Sequence, residues 1–142
     1  MKRAMPVIIS IALAACAAPG KMKLDVSPSA ALTGPKDVAI MGTRNDVVAA
    51  LEEVLTERGF TFRRYSNSDR NTKYAIEVTP DIFDRCMGGG FQFKSLKVSV
   101  VDRQTNALLL RSTASGRSEK CPPTSGEIFH DIAKAIDDAW RK

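Results

Sequence analysis

Apolar and polar positions along this chain change their spacing from segment to segment, and each spacing predicts an element. Met5 to Ala15 is almost continuously apolar, interrupted mildly by Pro6 and Ser10. That run is much shorter than the about 20 residues of a spanning helix. Met22, Leu24 and Val26 alternate with Lys21, Lys23 and Asp25, the period of a short half-buried edge strand. Val38 to Met41 is a compact apolar run suited to a strand covered on both faces. Val47, Leu51, Val54 and Leu55 then fall on one face of a helix that Thr43 or Asn45 can cap and Gly59 can end. Phe60 and Phe62 alternate with polar neighbours, as do Tyr74, Ile76 and Val78, which predicts two more strands, the latter weakened at Pro80.

Farther on, Phe91 and Phe93 are in one phase and Leu96, Val98 and Val100 in the other, so a bulge is expected near Lys94 and Ser95. Asp102 to Asn106 reads as a turn, and Ala107 to Ala114 returns as a strand with Leu108 and Leu110 inward. Thr124 and Glu127 have the spacing of a capping box for a last helix. That helix carries Ile128, Ile132, Ala135, Ile136 and Ala139 as its apolar stripe, flanked by Phe129 and Trp140. The expected architecture is α+β: a two-layer sandwich with a mixed, mostly antiparallel sheet of four to five strands and two helices on one face, in the order β-α-β-β-β-β-α.

Location follows from the first residues. Met1-Lys2-Arg3 before the apolar run has the layout of a secretory signal segment. Leu13-Ala14-Ala15-Cys16 resembles the lipobox of bacterial lipoproteins. The resemblance implies acylation of Cys16, cleavage after Ala15 and anchoring in a bilayer, with Ala17 favouring the outer membrane. A plain signal peptide with a chance cysteine beside an Ala-x-Ala site is the alternative. The chain then divides into a signal peptide at 1–15, a lipidated tether rich in Pro, Gly, Ser and Ala at 16–36, and one periplasmic domain at 37–142.

With Cys16 assigned to lipid, Cys86 and Cys121 remain as an even pair in an oxidising compartment, and a disulfide between them is expected. Closing a loop of about 35 residues is worth about 4 kcal/mol by chain entropy. A metal site would require further ligands, and the chain has a single histidine, His130. If the strands before Cys86 and before Cys121 run the same way in a meander, both cysteines reach the same edge of the sheet.

The formal charge of +5 includes Lys2 and Arg3, which leave with the signal segment. A mildly basic domain without a nucleic-acid motif gives no reason to expect nucleic acid as a partner. Gly88-Gly89-Gly90 lacks the frame of a phosphate-cradling loop and precedes a strand, so it reads as a flexible connection. Catalytic signatures are equally missing: there is no Gly-x-Ser-x-Gly elbow and no free cysteine to pair with His130. Glu77, Asp81 and Asp84 are the one carboxylate group near a strand end, and His130 beside Asp131 reads as a surface residue. No catalytic, cofactor or metal residue is assigned. Lys97 and Arg111, with Ser95, Ser99 and Thr113, fall on the sheet face opposite the apolar one, which makes them the candidate partner face.

The lipobox, Leu24-Asp25-Val26-Ser27-Pro28, the helix leading into Glu57-Arg58-Gly59-Phe60, the Val100–Asp102 turn into Leu108 and Leu110, and the closing helix together resemble small outer-membrane lipoproteins of the YajG kind. More distantly they look like the periplasmic lobe of the curli export lipoprotein and the amino-terminal domain of TolB. The resemblance implies a non-catalytic, lipid-anchored binding or assembly module whose partners are the bilayer, through Cys16, and an envelope protein or polymer. Two alternatives remain open: an inhibitor that presents the Cys86–Gly90 loop to a lysozyme or protease, and a small envelope hydrolase.

Overall fold

The computed structural model describes residues 21–26, 32–67 and 71–140. Cys16 and the signal segment lie outside them. The elements in chain order are β1 (Lys21–Val26), β2 (Asp37–Met41), α1 (Asp46–Glu57), β3 (Thr61–Arg64), β4 (Tyr74–Arg85), β5 (Phe91–Asp102), β6 (Leu108–Arg117) and α2 (Ile128–Ala139). They form an α+β fold with one mixed, six-stranded sheet in the order β1-β6-β5-β4-β2-β3. The expected class holds, with more strands than the expected four to five. The β2, α1, β3 run is a crossover unit, so β2 and β3 pair in parallel; β2 is also parallel to β4 on its other side. The remaining pairs, β4 with β5, β5 with β6 and β6 with β1, are antiparallel.

The edge strand expected at Lys21–Val26 forms against β6, and Leu32 is fully buried, so part of the stretch read as a tether is built into the fold. α1 begins as expected: the Asn45 side chain accepts from Val48 N–H at 3.0 Å, and Gly59 takes a φ of 85° just past the helix end. β4 continues through Pro80 to Arg85, beyond the expected break. β2 covers β4 no farther than Glu77, and along an uncovered edge a proline's missing donor costs nothing.

The helices share one core with one sheet face. Val38, Ile40, Tyr74, Ile76, Leu96, Val98, Val100 and Leu110 are buried there with Val47, Leu51 and Leu55 of α1 and Ile132 and Ile136 of α2. The register shift expected near Lys94 and Ser95 lies between Phe93 and Leu96, and it lets both apolar phases of β5 reach this core. A second shift between Val100 and Val101 displaces Leu108, which is exposed where the strand period had placed it inward. Trp140 closes the end of the core between Phe60 and Tyr74, both edge-to-face at 5.1 Å, while its indole N–H donates to the Gly34 carbonyl.

Candidate functional site

Lys97 and Arg111 lie on the sheet face away from the helices, and strand register decides their neighbours. Lys97 is opposite Thr113 on β6 and Thr79 on β4, and Thr113 is opposite Lys23 on β1. Arg111 is opposite Ser99 on β5 and Asp25 on β1, and Ser99 is opposite Glu77 on β4. Two adjacent rows therefore cross four strands, one of cations alternating with threonines and one of mixed charge. Lys23, Thr79, Lys97 and Arg111 are exposed, and Arg111 Nε donates to the Ser99 hydroxyl at 3.3 Å. Ser95 and Ser99 contribute less surface than alternation implied, since Ser95 sits in the bulged stretch and Ser99 is buried. Lys23 and Thr79 were readable as polar strand residues, but their place beside Lys97 required the register.

The carboxylates weighed for acid–base work do not converge. Glu77 and Asp81 are four residues apart along β4, about 13 Å at strand rise, and Asp84 accepts a hydrogen bond from Arg85 N–H. Among the described residues no group of three or more His, Cys, Asp or Glu side chains is placed to hold a metal ion.

Cys86 and Cys121 are disulfide-bonded, with Cα atoms 5.0 Å apart. The bond lies at the end of the sheet where β4 and β6 both finish, which is where the meander argument put it. The loop it closes is not the flexible connection that its glycines suggested. Cys86 N–H donates to Gly90 C=O, Gly89 N–H to Cys86 C=O, and Gly90 N–H to Lys120 C=O, at 2.9 to 3.0 Å. A Cβ on Gly90 would stand 2.1 Å from the Glu119 carbonyl oxygen, so the close approach of the two loops requires glycine there. Met87 projects from this locked turn with 103% relative exposure, and Phe83, at a register shift in β4, is 63% exposed with Lys94 Nζ 5.9 Å from its ring.

Beside this loop a groove of about 490 Å³ runs between α1 and α2, with Ala49, Ala50, Val54, Phe91 and Phe129 along it. His130 stands at its rim, Nδ1 2.9 Å from Glu119 Oε1 and Nε2 3.9 Å from Glu57. The Glu119 carboxylate is already engaged: it accepts from Phe129 N–H at 3.3 Å and His130 N–H at 3.0 Å, and so caps α2. This replaces the expected capping box. Glu127 makes no side-chain cap bond, and the Thr124 hydroxyl accepts from Arg117 instead. A cap supplied from about ten residues upstream carries no local sequence signal.

No protein-family model matches the chain, and no curated protein matches it. Among solved structures, the PelC dodecamer of Paraburkholderia phytofirmans is similar in fold, with a TM-score of 0.57 and 15% identity over 87% of this chain and 99% of that one. A point variant of the same protein, also a dodecamer, gives a TM-score of 0.58 and 14% identity over the same shares. At that identity the likeness establishes a common fold.

Proposed function

We propose that this chain is a lipid-anchored periplasmic binding or assembly module of the bacterial outer membrane, with no catalytic role. The observation that carries the binding role is the row of Lys23, Thr113, Lys97 and Thr79 beside Arg111 on the sheet face opposite the helices, exposed except at half-buried Thr113. Cations interleaved with hydroxyls suit an acidic or hydroxyl-rich envelope protein or polymer, because lysine donors and threonine hydroxyls can both bond such a ligand; Lys97 is exposed, and Lys23 lies 3.4 Å from Asp25. The Leu13-to-Cys16 segment supports the anchor. The dodecamers of the similar PelC structures support assembly, with further copies of the chain among its partners.

Two measurements test the reading. Cells grown with clickable palmitate should label the wild type and not Cys16→Ser; equal labelling removes the anchor. Envelope cross-linking should capture partners that the Lys97→Glu, Arg111→Glu double variant loses at unchanged thermal stability; unchanged capture removes this face. The inhibitor reading retains one favourable observation, the exposed Met87 on a rigid loop, and purification of a bound lysozyme or protease would select it.

A further inference from the structure

We propose that the disulfide-locked end of the domain rests on the membrane surface, with Met87 and Phe83 inserted among anionic lipid head groups. The proposal rests on the anchored reading of Cys16 and adds an orientation to it.

The chain enters β1 at Lys21, opposite Ser115, and β1 runs antiparallel to β6. β6 ends toward Arg117, which pairs with Gln92 just past the Cys86–Gly90 loop. Lys21 therefore lies at the disulfide end of the sheet. Five peptide steps separate Cys16 from Lys21, and in any conformation they reach no farther than about 18 Å. An acylated Cys16 thus holds this end of the sheet against the bilayer. The opposite end, where Trp140 and the β5–β6 turn lie, is about 40 Å away along the twelve residues of β5.

What this end presents matches an anionic interface. Met87 and Phe83 are among the exposed large apolar side chains of the described residues; Lys94 Nζ is 5.9 Å from the Phe83 ring and Lys120 lies in the segment that Gly90 bonds, while Lys21 and Arg117 lie farther across the same end of the sheet, on β1 and β6. The carboxylates of this end are Asp81 and Asp84 on β4, the latter accepting from Arg85 N–H, Glu119, which accepts from the α2 backbone N–H groups, and Glu127, which lies beside Lys21 and Arg117. Apolar tips among cations bind at the head-group boundary because apolar burial and attraction to anionic lipid act together. The disulfide and the Gly90 contact fix the loop before it meets the membrane, so little ordering entropy is lost on docking.

The test uses the full-length protein purified from membranes and reconstituted into phosphatidylethanolamine–phosphatidylglycerol vesicles whose acyl chains are brominated. Wild type carries one tryptophan, the buried Trp140, as the reference. Met87→Trp and Phe83→Trp should each add emission that bromolipid quenches several-fold more than emission added by Gln104→Trp at the far turn. Lys94→Glu with Lys120→Glu should reduce that quenching. Mass spectrometry of the same preparation reports the acyl group. Acylated protein with equal quenching at both ends overturns the docking alone, and if Met87 is then needed to hold a lysozyme or protease, the loop is an inhibitory element instead. Protein without an acyl group on Cys16 overturns the anchor and the docking with it.

Discussion

Ser112 is fully buried on the helix side of β6, and its hydroxyl has no hydrogen-bond partner among the described residues. A buried hydroxyl left unpaired costs about 1–3 kcal/mol, whereas the methyl of alanine occupies nearly the same space at no such cost. Ser112→Ala should therefore raise stability by about 1 kcal/mol, seen as a higher denaturation midpoint in urea at unchanged slope. A lower midpoint would show that the hydroxyl is satisfied in solution. The same scale explains Leu108. Alternation marked it as core, but the shift between Val100 and Val101 moved it out while Leu110, two residues on, stayed fully buried.

At the level of elements, the start of α2 depends on a side chain outside the helix. Glu119 offers both carboxylate oxygens to Phe129 and His130 N–H groups, and lies two residues before the disulfide-bonded Cys121. Glu119→Ala should cost about 1 kcal/mol, the usual worth of an N-terminal cap with a charge at the positive end of the helix. Thr124→Ala, at the position the capping box would have used, should stay within about 0.5 kcal/mol of wild type. Thermal unfolding of the two variants side by side checks both values. The reverse order would restore the local cap.

For the whole molecule, three distant segments meet at Asp137. Lys36, just before β2, donates to Asp137 Oδ1 and to the Arg58 carbonyl at the end of α1, while Arg58 Nη1 lies 3.6 Å from Asp137 Oδ2. The hydrogen bond from Lys36 holds the Asp137 carboxyl below the usual aspartate range against a smaller opposing effect of burial, with charge attraction to Lys36 and Arg58 assisting. A carboxylate whose folded pKa is depressed contributes stability above its unfolded pKa and loses it as pH falls through the folded value. Asp137→Asn should cost about 1 kcal/mol at neutral pH, a value already reduced for partial exposure. The difference from wild type should close as pH drops below about 4. Denaturant titrations at several pH values measure it, and a pH-independent difference would rule out the ion pairs as its source.

Local signals were strong where one residue type decides a local conformation. Asn45 and Gly59 bound α1 because a side-chain acceptor and a left-handed residue act within a few positions. The α2 stripe and the β5 phase change were legible because burial on one face imposes a period. The pairing of Cys86 with Cys121 was legible because the expected meander brings the ends of both preceding strands to the same edge of the sheet. Register and approach between distant segments had no such signal. The parallel pairing of β2 with β4, the placing of Lys23 and Thr79 beside Lys97, the cap from Glu119, and the close contact of Gly90 with the Glu119 carbonyl all arise where segments far apart in sequence meet. The sequence by itself determined the periods, the turns and the cysteine pair, because these rest on interactions within a few residues or on composition. Only the tertiary structure decided which polar residues share a surface and which apolar ones, Met87 and Phe83 among them, remain in solvent, since both depend on how the whole chain closes on itself.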